Sequence, residues 1–104
     1  MSLDELPDLT PDRGAVETEE LVVDDAVLVK LFALGPGAEI EPHEHAESVN
    51  VFHLLSGTVS VVRGDDEETL SAPAVVHNER GVVHGARNES DEPALLTASL
   101  CPLP

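Results

Sequence analysis

From Val16 onward, apolar and polar positions fall into short runs, with no helical period of any length. The runs ELVVDD, AVLVKLFAL, AEIEPHEH, VNVFHLL, TVSVVR, TLSA, PAVVHNERG, VVHGARN and ALLTASL are punctuated by GPG, SG, GDDEE and ESDEP. Short β-favouring runs at roughly 8–12-residue spacing, bounded by turn signals, predict an all-β sandwich or barrel. Within Val49–Leu55, alternation puts Asn50, Phe52 and Leu54 on the interior face and turns His53 to the other side. Gly35-Pro36-Gly37 predicts a chain reversal. RGDDEE predicts a hairpin between Val59–Arg63 and Thr69–Ser71, with Gly64 and Asp65 supplying positive-φ positions. In APAVVHNERG, Pro73 and the polar Asn78–Arg80 leave only three or four residues for a strand. Residues 1–14, acidic and carrying Pro7, Pro11 and Gly14, read as an extended or mobile arm, and residues 15–104 as one barrel domain.

Composition changes this picture in two ways. Hydrophobic residues make up 41% of the 104, with two Phe and no Trp or Tyr, so the core must be aliphatic. Asp plus Glu number 21 against 5 Lys plus Arg, a formal charge of −16. Such a surface repels phosphate backbones and anionic lipid, which argues against nucleic-acid and membrane partners. The apolar fraction is too high and too periodic for disorder. The charge instead implies a folded protein adapted to high salt, where screening over about 3 Å at 1 M removes most self-repulsion. A halophilic, cytoplasmic setting is therefore expected. MSLDELPDLTPDRG has neither the basic nor the apolar region of a secretion signal, and no run is long enough to span a membrane. Cys101 is alone, so no intramolecular disulfide can form, and it reads as a small, wholly or partly buried residue.

The candidate chemistry lies in the histidines. On an extended strand His43 and His45 share a face with Cα atoms about 6.5–7 Å apart, which lets two imidazoles converge on one ion at about 2.0–2.1 Å. His84, on a later apolar run, can join them from a neighbouring strand. Three histidines from two strands leave positions open for water or substrate, the arrangement of catalytic metal sites. His53 reads as a packing or contact residue and His77 as a surface histidine or a residue of the barrel rim. Asn88 shares the inward face of His84 and can bond the site's surroundings or the turn, whereas Arg87 points away. Arg63, Arg80 and Arg87 are candidate clamps for a carboxylate, and Glu47 and His77 the first candidates for a general base.

GAEIEPHEHAESVNVFHLLSG, Gly37 to Gly57, resembles the first cupin motif, G-x5-H-x-H-x3,4-E-x6-G, through Gly37, His43, His45 and Gly57. ERGVVHGARN, Glu79 to Asn88, resembles the second, P-x-G-x2-H-x3-N, through Gly81, His84 and Asn88. The resemblance covers about residues 16 to 101. It implies a double-stranded β-helix, or jelly-roll barrel, holding a divalent ion (Fe, Mn, Ni or Zn) on His43, His45 and His84, and an oligomer, most often a homodimer built through edge strands. It also implies a small oxygen-bearing substrate, with dioxygenase-like or isomerase-like chemistry; the alternative is a non-catalytic barrel that binds a small ligand or metal. Two positions depart from the pattern. The family's glutamate ligand falls on Asn50 and its second-motif proline on Glu79. Asn50 then offers only a neutral amide oxygen as fourth contact, with Glu47, or no fourth protein ligand, as the other readings.

Overall fold

The computed structural model describes residues 6–104. The part of the expected N-terminal arm that falls on residues 1–5 lies outside them. Among the described residues the chain forms nine strands: β1 (Val16–Asp24), β2 (Val27–Leu34), β3 (Glu39–His43), β4 (Val49–Ser56), β5 (Thr58–Arg63), β6 (Asp66–Ser71), β7 (Ala74–Asn78), β8 (His84–Arg87) and β9 (Ala94–Cys101). They build two antiparallel sheets, β1-β2-β9-β4-β7 and β3-β8-β5-β6. This is the all-β jelly roll that the run pattern and the motif resemblance imply. No helix long and apolar enough to cross a membrane occurs among the described residues.

Alternation builds the core between the sheets. Leu34, Phe52, Leu54 and Leu96 face it from the larger sheet, and Ile40, Val59, Val61 and Ala86 from the smaller. In β9 every second residue from Ala94 to Leu100 is buried, and in β4 Asn50, Phe52 and Leu54 are buried while His53 is exposed. Cys101 is a free, half-buried thiol.

Register fixes which inward side chains meet. Lys30 of β2 stands opposite Ala98 of β9, which stands opposite Phe52 of β4. One row along, Leu28, Leu100, Asn50 and Asn78 are aligned across β2, β9, β4 and β7. These two rows, at one end of the larger sheet's inner face, form the wall opposite the histidines.

Two local expectations change. The hairpin after β5 is tighter than expected: Arg63 pairs with Asp66, so the loop is Gly64-Asp65 alone. Gly64 has φ 62°, and among the described residues none other than glycine has positive φ, so Asp65 does not supply a second such position. A glycine at the first central position suffices for a two-residue turn of the II′ kind, which matches the twist of the flanking strands. The stretch around Pro73 holds a five-residue strand, β7, because Asn78 stays in register opposite Asn50.

Candidate metal centre

His84 opens β8 and His43 closes β3, and the two are direct partners across the β3–β8 ladder. Strict alternation along β3 would not achieve this. Ile40 pairs with Ala86 and His43 with His84, so β3 spends three steps where β8 spends two, a bulge spanning Glu41 and Pro42. Proline has no N–H to give the ladder, which makes it a natural place for the extra residue. The bulge turns His43 onto the same face as Ile40. His45 lies just beyond the end of β3 rather than on an extended strand, so the simple two-residue alternation does not place it. Its backbone carbonyl accepts a 2.9 Å hydrogen bond from the Gly81 N–H, and Arg80 Nε donates to the Glu47 carbonyl at 3.2 Å. The segment of the second motif thereby holds the loop of the first.

The three rings come together. Centroids of His43 and His84 are 4.6 Å apart, those of His43 and His45 5.0 Å, and those of His45 and His84 5.5 Å. One nitrogen of each lies within 4.8 Å of the others. Nitrogens bound at about 2.1 Å to a tetrahedral ion sit about 3.4 Å apart, so modest ring rotations close the set.

Backbone carbonyls select which nitrogen faces inward. His43 Nδ1 lies 2.8 Å from the Glu41 carbonyl and His84 Nδ1 3.0 Å from the Val82 carbonyl. A carbonyl only accepts, so each Nδ1 carries the proton and each Nε2 keeps a lone pair. His84 is 1% exposed and its Nε2 is buried without a hydrogen-bond partner. An orphaned buried nitrogen is costly, and a metal ion beside His43 and His45 would satisfy it. Burial lowers the pKa of His84 against the opposing hydrogen bond to Val82, with His43 and His45 lowering it further. Burial and then the neighbouring His43 lower that of His45. Both effects favour neutral, metal-competent imidazoles. The residues present fit a divalent ion. Phe52 packs edge-on against His84 with centroids 5.5 Å apart and fixes its ring.

The other expected residues separate clearly. Asn50 is 2% exposed, lines the same cavity as His43 and His45, and accepts a 2.9 Å hydrogen bond from Asn78 Nδ2 at its Oδ1. Glu47 is exposed and outside the histidine cluster. His53 and His77 are both exposed and outside it as well. His77 borders a separate surface hollow with Arg63, Asp65, Asp66 and Glu79. Asn88 is fully buried but serves the turn: its Nδ2 donates to the Leu34 and Glu92 carbonyls, and its Oδ1 accepts from Ser90. Arg63 reaches the His77 carbonyl, Arg80 that of Glu47, and Arg87 the carboxylates of Glu67 and Glu89.

Facing the histidines is a cavity of about 300 Å³. Leu28, Phe32, Ile40, Phe52, Ala98 and Leu100 form its apolar wall, and Pro104 closes one side. None of the three arginines expected as clamps lines it. The cation that does is Lys30. Its signal was present in AVLVKLFAL, where Lys30 interrupts an apolar run at a position that shares a face with Leu28, Phe32 and Leu34.

Residues 30–100 match the family model described as the cupin domain. No match was found among the curated proteins. Among solved structures, the TT1209 protein of Thermus thermophilus is similar at 34% identity over 86% of this chain and 85% of that one, with a TM-score of 0.82. A Klebsiella pneumoniae protein with a double-stranded β-helix domain is similar at 25% identity over 88% and 81%, with a TM-score of 0.81. A predicted oxalate decarboxylase of Thermotoga maritima shares the fold at 20% identity over 85% and 81%, with a TM-score of 0.80. Motif positions, sheet topology and the family match agree: this chain belongs to the cupin family.

Proposed function

We propose that the protein binds a divalent metal ion, one of Fe, Mn, Ni or Zn, on His43, His45 and His84, with Asn50 as the neutral fourth contact, and uses it to engage a small oxygen-bearing molecule. The observation that carries the proposal is the buried, unpartnered Nε2 of His84 beside two further imidazoles. When bound, such an ion supplies Lewis acidity or a redox centre. The chain's own residues do the rest. Glu41 and Val82 carbonyls hold the His43 and His84 rings with Nε2 inward. Asn78 holds the Asn50 amide, and the apolar wall limits water at the open side.

Dioxygenase-like or isomerase-like turnover is one outcome of this arrangement. A binding barrel without turnover is the second reading, and a specific observation favours it. Neither Glu47 nor His77 reaches the cavity, and among the described residues no aspartate or glutamate side chain lines it. Any turnover therefore proceeds without a carboxylate side chain as general acid or base. A homodimer in a salt-rich cytoplasm belongs to the same proposal. The dimer part of it is supported by the exposed edge strand β1, which carries Val16, Val22 and Val23 at the surface.

Elemental analysis after incubation with Fe(II), Mn(II), Ni(II) and Zn(II) tests the metal. Wild type is expected to retain close to one equivalent of at least one of these ions, and His84→Ala to lose most of it. Wild type retaining no more than the variant contradicts the proposal.

A further inference from the structure

The cavity facing the histidines has a charge pattern opposite to that of the molecule. The chain carries 21 acidic residues and a single lysine. Among the described residues, the cavity is lined by that lysine and by no aspartate or glutamate side chain. Lys30 is half-buried, and its ammonium lies 5.3 Å from the centroid of Phe32, two residues along on the same inward face. Each arginine among the described residues has a polar partner: Arg13 meets Asp91, Arg87 meets Glu67 and Glu89, and Arg63 and Arg80 reach backbone carbonyls. Lys30 has neither an ion pair nor a hydrogen bond among the described residues. Glu20 stands opposite it in the β1–β2 register, yet the two do not form an ion pair.

From these observations we infer that Lys30 is a specificity residue that selects a small carboxylate with an apolar body. The carboxylate pairs with the Lys30 ammonium over Ala98, and the body fills the space between Phe32, Phe52 and Ile40. Strands lie about 4.8 Å apart, so Lys30 and Phe52, separated by β9, have Cα atoms about 10 Å apart. A ligand of roughly that length spans from the ammonium to the histidine side. The cavity volume of about 300 Å³ sits at the small end of the roughly 300–1,000 Å³ typical of small-molecule sites. The apolar wall lowers the local dielectric, which strengthens a charge pair relative to the same pair in water. A neutral three-histidine set with Asn50 adds no negative charge to oppose the anion. The inference deepens the proposed ligand site and rests on it, but its carboxylate end requires no metal.

The test compares benzoate with its neutral counterpart benzamide, titrated into the full chain with and without Zn(II). Because Lys30 is the only lysine, lysine-selective ¹³Cε labelling gives one side-chain signal that reports directly on it. Benzoate is expected to bind about tenfold or more tightly than benzamide, to shift the Lys30 signal, and to do so without Zn(II). In Lys30→Gln the preference for benzoate is expected to vanish while benzamide binding and the circular dichroism melt stay close to wild type. Equal binding of the two probes by wild type, absence of benzoate binding up to millimolar concentration, or a preference retained by Lys30→Gln overturns the inference. His84→Ala separates the two claims. It is expected to lose Zn(II) yet keep the benzoate preference, so failure of the metal reading leaves the Lys30 reading tested on its own.

Discussion

Asn50 determines how much positive charge the candidate metal keeps. An amide and three neutral imidazoles leave a divalent ion fully charged, whereas a carboxylate at position 50 would halve that charge. Asn50→Asp is therefore expected to tighten Zn(II) binding by about tenfold or more through charge attraction. It should also lower the melting temperature of the metal-free protein, because the new carboxylate is buried. Competition with a chromophoric chelator and a melt in excess chelator read the two effects; unchanged Zn(II) affinity would place Asn50 out of reach of the ion. The lowered pKa values of His45 and His84 carry a second expectation. The unfolded chain takes up protons on these residues near pH 6.5, whereas the folded protein does so only at lower pH. The unfolded state thus binds more protons in that window, so metal-free stability should fall as pH drops from about 7.5 to 5.5. Denaturant titrations over this range check the sign, and a stability that rose on acidification would contradict it. At this scale the motif spacing named His43, His45 and His84. It did not reveal which nitrogen faces inward, because that depends on the Glu41 and Val82 carbonyls.

Strand periodicity made most elements legible, since an aliphatic core between two sheets requires alternation. It correctly turned His53 outward and Asn50, Phe52 and Leu54 inward. Alternation failed where the backbone leaves the regular ladder. The bulge at Glu41–Pro42 resets the face of His43, and His45 is held by a hydrogen bond from a distant loop. Long-range register of this kind has no local sequence signature beyond the proline itself. Gly57, between β4 and β5, is a stricter point. It has φ 86°, and a Cβ there would lie 2.9 Å from the Ala94 Cα. Gly57→Ala should therefore cost about 1–3 kcal/mol from backbone strain alone. Chemical denaturation measures this, and a loss within error of zero would refute the packing described for that turn.

For the whole molecule, composition and motifs together made the barrel and its histidine cluster readable. The cavity's composition was harder to see, because its wall is assembled from residues of β2, β3, β4 and β9 whose alignment emerges only in the folded register. The acidic surface bears on stability rather than on the site. With a formal charge of −16, repulsion in dilute buffer should be relieved by screening. The melting temperature is expected to rise between dilute buffer and molar KCl, and a fall would remove the case for adaptation to salt. The central claim concerns three imidazoles converging on one ion, and long-range ¹H–¹⁵N NMR of all five histidines tests it most directly. Before Zn(II) is added, His43 and His84 should appear as Nδ1–H tautomers. With Zn(II), their Nε2 signals and one nitrogen of His45 should shift together, while His53 and His77 stay in place. Shifts at His53 or His77, or none at His84, would contradict the account.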